Sequence, residues 1–445
     1  MASASTIYAL SSGQGPSGVA VIRVSGPSAS AVLSVLAESV TEPRKAALRK
    51  LRRPGDGAIL DEALVLFFPA PRSETGEEVV ELHTHGGRAV IAAVLAELGK
   101  LEGLRLAEPG EFARRAFENG KIDLVGVEGL ADLINAETEA QRAQAVRQAA
   151  GEQSQLYEGW RQELLKALAL AEASLDFSDE ADVAADAYAK AISVTAGLKA
   201  QVDTHLADGH RGEILREGFR VVLAGPPNAG KSSLLNALAR RDVAIVSAEA
   251  GTTRDALEVR LDLGGYPVIV TDTAGLRAPE GAIEAEGIRR SLGHIKQAQL
   301  VLWLVESAGG PAEPPDDVRA LGAPIRPVIS KGDLVCRTVP GLAPTTLRVS
   351  ARNGRGLPEL IRTIGEAAAQ ALGASPTPVI TRERHRLALE EVSAGLAAFV
   401  AYDPTRPELG AEELRQAANA LGRLTGRIGV EEVLGEIFGS FCIGK

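Results

Sequence analysis

"FRVVLAGPPNAGKSSLLNALA", residues 219–239, decides the fold of the central part of this chain. An apolar run of strand type leads into the glycine-containing loop "GPPNAGKSS" at 225–233, and a helical pattern follows, which is the context that a phosphate-binding loop requires. The glycines let backbone N–H groups close around phosphate oxygens, and the helix N-terminus adds partial positive charge. We therefore expect Lys231 to reach the β- and γ-phosphates of a nucleotide and Ser232 to ligate Mg²⁺.

Two further segments follow in the order expected of a nucleotide switch. "GTTRD" at 251–255 offers the Thr253 hydroxyl to complete the Mg²⁺ shell. In "DTAG" at 272–275, Asp272 is placed to hold an Mg²⁺-bound water and the Gly275 N–H to sense the γ-phosphate.

The base is predicted from two later segments. In "SKGD" at 330–333, the Asp333 carboxylate can accept the N1–H and 2-amino hydrogens of guanine, a pair that adenine does not present. "SAR" at 350–352 is the expected backbone contact to the base oxygen. Ser330 replaces the usual asparagine, so we expect guanine selectivity with weaker affinity. The nucleotide is therefore predicted to be GTP.

Leu276 raises a question about hydrolysis. Ras-type enzymes keep a glutamine at this position to orient the attacking water, and leucine cannot do so. Either hydrolysis is poor or a polar group comes from elsewhere. Glu280, Glu284 and Glu286 follow in the next loop, and taken alone they are more typical of a solvated loop.

Length, composition and cysteine content limit the classes of protein to which this chain can belong. With 445 residues, 45% hydrophobic and 24% charged, the chain is expected to form two to three globular domains. Cys336 and Cys442 have no disulfide or metal spacing, which suits a reducing compartment. No apolar run long enough for a membrane span and no signal-peptide pattern occur, so a cytoplasmic location is expected.

The net charge of −10 gives no general preference for nucleic acid. Any RNA contact must be local, and two basic clusters are available, "PRKAALRKLRR" at 43–53 and "TRERHR" at 381–386. Both also fit solvated surface segments.

The chain divides by pattern into a multidomain α/β + α protein. Residues 1–118 mix short strands and a helix, as in a small α+β domain. Residues 119–216 and 379–445 carry helical periodicity and are predicted to be two halves of one discontinuous helical bundle. Residues 217–378 are predicted to be an inserted Ras-like P-loop domain. Its parallel strands are expected at 219–225, 267–273, 300–306, 326–330 and 345–350.

These residues closely resemble the MnmE (TrmE) family of bacterial tRNA modification GTPases over essentially the whole chain. Outside the nucleotide motifs the resemblance rests on "GVAVIRVSG" at 18–26, "GEEVVELHTHGG" at 76–87, "RLAEPGEFARRAFENGKIDL" at 105–124 and "FCIGK" at 441–445. The last two are much more specific than a phosphate-loop pattern.

The resemblance implies a homodimer in which two G domains meet, with K⁺ near the phosphates supplying the charge that an arginine finger supplies elsewhere. It assigns water activation to Glu284. The implied K⁺ ligands are Asn228, Ser247, Glu249 and Thr252. The implied GTP-binding positions are Asn228, Ala229, Gly230, Lys231, Ser232, Ser233, Ser247, Thr252, Thr253, Asp272, Thr273, Ala274, Gly275, Ser330, Lys331, Asp333, Ser350, Ala351 and Arg352.

The resemblance also implies that the N-terminal domain dimerises and binds 5-formyl- or methylene-tetrahydrofolate. The ligand positions fall on Arg23, Glu81, Lys121 and Lys445. Cys442 is a secondary candidate for a nucleophile and equally fits a small structural residue. His83 and His85 point the same way on a strand, but two ligands without a third are a weak metal site.

The implied reaction adds an aminomethyl-type group to carbon 5 of the wobble uridine of certain tRNAs. The implied partner is the FAD-dependent MnmG (GidA), in a heterotetramer or larger assembly, and tRNA is the substrate. Two alternatives explain the nucleotide motifs: a regulatory GTPase of ribosome assembly like Era or Der, and a structural scaffold gated by nucleotide. The first does not explain "FCIGK" or the folate-type positions and would predict a basic appended domain. Loss of K⁺-stimulated hydrolysis on substitution of Asn228 or Glu284 would count against the second.

Overall fold

The computed structural model falls into two compact units. The first consists of Met1–Ala131, Ser154–Arg161 and Asn419–Lys445, and the second of Asp132–Gln153 and Gln162–Ala418. The structure describes residues 5–13, 15–176, 181–208, 210–245, 258–272, 292–334, 339–373, 378–402, 407–428, 431–439, 441 and 443–444.

Eleven strands are found among the described residues. They are β1 (Thr6–Leu10), β2 (Ser17–Ser25), β3 (Ala47–Arg52), β4 (Ile59–Phe68), β5 (Val79–Gly86), β6 (Leu104–Leu106), β7 (Phe219–Ala224), β8 (Glu258–Leu263), β9 (Tyr266–Asp272), β10 (Leu300–Glu306) and β11 (Ile325–Ser330). They form a six-stranded sheet in the first unit and a five-stranded sheet in the second.

The helices of the same described residues number fourteen. They are α1 (Ala29–Leu36), α2 (Arg88–Leu98), α3 (Glu111–Glu118), α4 (Leu124–Ile134), α5 (Glu139–Ala149), α6 (Glu152–Asp176), α7 (Ala181–Leu206), α8 (Arg211–Glu217), α9 (Lys231–Ala239), α10 (Asp316–Arg319), α11 (Leu357–Leu372), α12 (Glu383–Ala401), α13 (Pro407–Thr425) and α14 (Glu431–Gly439).

The first unit has the α+β character predicted for the N-terminal part. Its strand order is β3-β4-β5-β2-β1-β6, antiparallel except for the parallel pair β1 and β6. Alternate residues of β2 and β5 such as Ile22 and Leu82 are buried against Leu33 of α1 and Leu98 of α2. This period-two burial places Arg23, Glu81 and His83 on the opposite face of the sheet. It sets Arg23 beside Glu81 in the β2–β5 register.

The second unit contains the predicted α/β domain. Its strand order is β11-β10-β7-β9-β8, parallel throughout except for β8, which runs antiparallel to β9. β10 shows why the apolar runs are continuous. Leu302 and Leu304 enter one buried cluster, whereas Val301 and Trp303 enter the cluster on the other face.

The prediction of a strand at 345–350 is wrong. Only an isolated parallel bridge joins Ile329 to Arg348, held by hydrogen bonds of 2.8 Å from the Ile329 N–H to the Leu347 carbonyl and from the Val349 N–H to the Ile329 carbonyl. Turns on both sides restrict the pairing. The segment nevertheless lies at the edge of β11, where the fold needs it.

Helical segments of the second unit come from both predicted halves of the bundle. α7 packs on α12, where the Tyr188 and Phe399 rings lie 5.5 Å apart and the Ser393 hydroxyl donates to Asp203 at 2.5 Å. α5 begins with a capping box between Thr138 and Gln141. No helix of the described residues is long and apolar enough to cross a membrane.

Candidate functional site

The loop between β7 and α9 has a backbone that only particular residues can adopt. Gly225 lies at φ 147°, and a Cβ there would come within 2.6 Å of the Leu304 carbonyl oxygen. Gly230, which precedes α9, lies at φ 88° in the left-handed region. Asn228 also has a positive φ of 62° and is exposed on the loop. The two glycines are therefore required by geometry, since a side chain would clash or be strained.

Lys231 closes this loop from the first turn of α9. Its side chain is buried, and its ammonium donates to the Gly225 and Pro226 carbonyls at 2.9 Å each. These bonds hold a positive charge against the backbone of the loop. The arrangement is suited to an anionic phosphate at the helix N-terminus.

Ser232 and Asp272 are brought together by the parallel pairing of β7 with β9. The Ser232 hydroxyl donates to the Asp272 carboxylate, which is 1% exposed at the end of β9. The two residues are forty positions apart in sequence. Hydroxyl and carboxylate oxygens are the ligands that Mg²⁺ prefers, so the donor set fits this ion.

Asp333 follows the end of β11 and is oriented by Ser350. The Ser350 hydroxyl donates to Asp333 Oδ1 at 2.7 Å, and this hydrogen bond is the largest cause of a lowered pKa of the carboxyl group. The Gly332 N–H donates to the Val349 carbonyl at 3.0 Å and ties the two loops together. The carboxylate is thus held ionised as an acceptor.

Ser330 and Lys331 are fixed to the end of β10. The buried Ser330 hydroxyl contacts the Val305 carbonyl at 3.4 Å, so it faces the protein. Lys331 pairs with Glu306 at 2.8 Å, and its carbonyl accepts from the Ser307 hydroxyl at the same distance. These contacts give the loop a rigid backbone without an amide directed at a base.

One cavity joins the phosphate side and the base side. Its volume is about 260 Å³, and it is lined by Gly230, Ser233, Leu234, Ser330, Lys331, Asp333, Leu334, Val349, Ala351 and Arg352. Seven of the predicted nucleotide positions are therefore brought together. Leu234, Leu334 and Val349 were not predicted. Leu334 could have been predicted as a lining residue, because it directly follows Asp333 in the sequence.

Several predicted site residues lie outside the described residues. They are Ser247, Glu249, Thr252, Thr253, Thr273, Ala274, Gly275, Leu276, Glu280, Glu284, Glu286, Cys442 and Lys445.

A second polar site lies on the sheet of the first unit. The Arg23 guanidinium donates to Glu81 Oε1 at 3.0 and 3.2 Å and pairs with Glu74 at 2.7 Å. It also lies 5.8 Å from the Phe112 ring centroid. The side chains of Arg23 and Glu81 are each 17% exposed, so this charged pair is reachable from solvent at a protected position.

The other N-terminal candidates are distributed around this pair. Lys121 is exposed after α3, and among the described residues no ion pair joins it to Glu81. His83 contacts Glu81 at 3.1 Å, and His85 contacts Asp61 at 2.7 Å. Each histidine therefore has a different carboxylate neighbour.

The C-terminal segment lies against the same unit. Ile443 forms an antiparallel bridge with Pro109. Gly444 has a positive φ of 99°, and a Cβ there would lie 2.0 Å from the Leu10 carbonyl oxygen. The tail therefore passes the end of β1 too closely for any side chain at this position.

The loop after β7, the Ser232–Asp272 contact and the base-side loop define a nucleotide-binding domain of the P-loop class. A model of the MnmE helical domain matches residues 124–442, and a model of the TrmE N-terminus matches residues 6–121. The chain belongs to the tRNA modification GTPase MnmE family.

Two relatives show the extent of the similarity. The chain is 53% identical to the tRNA modification GTPase MnmE of Parvibaculum lavamentivorans, covering 99% of this chain and 100% of the relative. It is 55% identical to the protein of the same name from Methylobacterium sp. (strain 4-46), covering 99% of each.

Proposed function

We propose that this protein is a GTP hydrolase that acts in the modification of tRNA uridine. The observation that carries the proposal is the cavity lined by both Gly230 and Asp333, which joins a phosphate loop to a guanine acceptor. Family membership supports the tRNA substrate, because the relatives carry that activity in their names.

Guanine selectivity is assigned to Asp333. Its carboxylate accepts two N–H donors from the base only when ionised, and the Ser350 hydrogen bond favours the ionised form. Ser330 donates toward the protein, so one side-chain contact to the base is absent. GTP is therefore bound selectively but less tightly than by an asparagine-containing loop.

Hydrolysis is proposed to rely on positioning and charge. Ser232 and Thr253 are the proposed Mg²⁺ ligands, and Asp272 orients a water in the shell of that ion. Lys231 binds the β- and γ-phosphates. Bound Mg²⁺ supplies positive charge against the charge that develops in phosphoryl transfer.

The polar group missing at Leu276 is proposed to be replaced by two means. Asn228, Ser247, Glu249 and Thr252 would hold K⁺, which would supply additional positive charge. Glu284 acts on the attacking water, through a bridging water where needed. Both require closure of two G domains in a homodimer.

The N-terminal domain is proposed to bind the tetrahydrofolate that supplies the one-carbon unit. The Arg23–Glu81 pair fits such a ligand, because a carboxylate accepts paired N–H donors of a pterin and a guanidinium binds carboxylate oxygens. Lys121 and Lys445 complete the proposed set. Cys442 remains a secondary candidate.

The four-part division at 1–118, 119–216, 217–378 and 379–445 is proposed as the domain organisation. The proposed assembly is a homodimer that joins the FAD-dependent MnmG (GidA) in the cytoplasm. The partner carries out the redox part of adding the aminomethyl-type group to the wobble uridine.

The test of this function is nucleoside analysis of tRNA from cells that lack the protein. We expect wobble uridines without the modification, restored by the wild-type chain but not by Lys231→Ala. Normal uridines together with defective ribosome assembly would instead support the Era- or Der-like alternative.

The test of the proposed hydrolysis step is GTP turnover in K⁺ and in Na⁺. Turnover is expected to be faster in K⁺, and Asn228→Ala is expected to abolish the difference. Equal rates in the two salts would refute the K⁺ assignment while leaving GTP binding untouched.

A further inference from the structure

The basic run at 43–53 is neutralised in part in the folded protein. Three of its six cations have carboxylate partners; two of the four partners lie three positions away and two are more distant in sequence. The pairs are Lys45–Glu42, Arg52–Glu38, Arg53–Asp56 and Arg53–Glu97.

Two arginines of the run at 381–386 are also paired with carboxylates. Arg382 pairs with Asp132 at 2.8 Å, and Arg386 pairs with Glu213 at 3.2 Å. Both runs predicted from the sequence are therefore paired in part with carboxylates, which weakens them as binding surfaces for a polyanion.

A third basic surface is created by the fold and is not visible as a run in the sequence. Arg240 and Arg241 follow α9, whereas Arg352 and Asn353 belong to the loop after Ser350. Together with Asn236 of α9 they line an open groove of about 620 Å³. None of the described residues that line this groove is an aspartate or a glutamate.

The guanidiniums of the groove are poorly compensated. Among the described residues, no salt bridge of 4.0 Å or less joins Arg240 or Arg241 to a carboxylate. Arg352 has no ion pair at that distance either, although its charge contributes to the lowered pKa of Asp333. The charged side chains that line this groove are therefore all cations, in a chain whose net charge is −10.

We propose that the groove formed by Asn236, Arg240, Arg241, Arg352 and Asn353 binds the phosphodiester backbone of RNA. The guanidiniums match phosphate oxygens in geometry as well as charge, and the two amides are donors for phosphate or ribose oxygens. An open groove admits a chain that continues at both ends. The inference rests on the proposed function, since tRNA is the RNA that this protein would meet.

The groove lies next to the nucleotide cavity, so RNA bound in it is expected to affect nucleotide binding. Ser233, Ala351 and Arg352 line both the groove and the nucleotide cavity. RNA on one side and nucleotide on the other therefore contact the same loop. If the sites are coupled, each ligand changes the affinity of the other by the same factor.

The experiment measures binding of the full-length, GDP-loaded chain to an unmodified tRNA transcript by fluorescence anisotropy between 50 and 200 mM salt. The test variant is Arg240→Gln/Arg241→Gln, which leaves Arg352 intact. The matched control is Arg362→Gln/Arg415→Gln, which removes two exposed arginines with carboxylate partners elsewhere. Both variants change the net charge equally.

The expected result follows from counterion release. Let K be the association constant for RNA. Losing two phosphate contacts makes the slope of log K against log salt concentration less negative by about 1.4 for a single-stranded segment. The defect relative to the control is then about sevenfold larger at 50 mM than at 200 mM salt. Arg240→Lys/Arg241→Lys keeps the charge and is expected to retain the wild-type slope.

Equal slopes and affinities for the test and control variants would overturn the inference. So would unchanged RNA binding together with weaker association of the FAD-dependent protein partner, because the groove would then bind an acidic protein surface. GDP affinity verifies that the test variant is folded. Failure of the wild-type chain to restore modified uridines in deficient cells would refute the proposed function separately.

Discussion

The Ser350 hydroxyl donates a hydrogen bond of 2.7 Å to Asp333, and it thereby links the two loops that form the base side of the nucleotide cavity. The bond lowers the pKa of the Asp333 carboxyl group. Asp333 accepts the guanine donors in its ionised form, so guanine binding should persist as the pH falls toward that lowered pKa.

Ser350→Ala is expected to weaken GTP binding about fivefold at neutral pH, the effect of losing one hydrogen bond. Because the variant lacks the bond that lowers the Asp333 pKa, its GTP affinity should also begin to fall at a higher pH than in the wild type. Fluorescent-nucleotide titrations from pH 7 to pH 4 measure both effects. Ser393→Ala removes a comparable serine–aspartate bond on α12 and serves as the control. Identical pH profiles for wild type and Ser350→Ala would contradict this role.

Arg115 is expected to be essential for stability of the first unit. It is buried and pairs with Glu77 at 2.9 Å and Glu111 at 3.3 Å. Arg115→Ala leaves two shielded carboxylates without this partner and should cost about 3 kcal/mol. Its neighbour Arg114 pairs with Glu118 on the exposed face of the same helix, so Arg114→Ala should cost less than about 1 kcal/mol. Calorimetry measures the melting temperatures of the two variants. Equal melting temperatures would show that Arg115 contributes no more to stability than Arg114 does.

His205 is expected to make the fold sensitive to acid. Burial, together with the charges of His385 and Arg386, lowers the pKa of His205 to about 4. The ordinary pKa of histidine is near 6.5, so below that pH His205 of the unfolded chain binds a proton that the folded chain does not. The free energy of unfolding therefore decreases as the pH falls, until His205 of the folded chain is also protonated near pH 4. The maximum loss is about 3 kcal/mol.

Denaturant unfolding at pH 7, 6 and 5 measures this loss. His205→Gln removes the titrating group, so its unfolding free energy should decline less steeply over the same interval. An equally steep decline in the variant would show that another group is responsible.

The phosphate loop could be predicted because its requirements are local. Gly225 and Gly230 must adopt backbone angles that exclude other residues, and Lys231 follows them directly. The isolated bridge at Arg348 could not be distinguished from a strand, since apolar alternation looks the same in both. The turns that limit it depend on contacts made only after folding.

Charge compensation was the least predictable feature. The pairing of Arg382 with Asp132 spans 250 positions, and no sequence pattern near either residue predicts it. The same applies to the groove, because Arg240 and Arg352 come from different segments. The sequence clusters therefore indicated basic runs that the fold pairs in part with carboxylates, and they missed the groove of Arg240, Arg241 and Arg352.

The most direct test of the account is a change of nucleotide specificity through Asp333→Asn. Guanine presents two N–H donors to this residue, whereas xanthine has a carbonyl in place of the 2-amino group. An asparagine amide can accept from N1–H and donate to that carbonyl. The account predicts that the variant loses GTP turnover by about a hundredfold and gains turnover of xanthosine triphosphate, since polar mismatches in a base site are costly. Unchanged GTP turnover, or no use of xanthosine triphosphate by the folded variant, would contradict the assignment of this cavity to guanine.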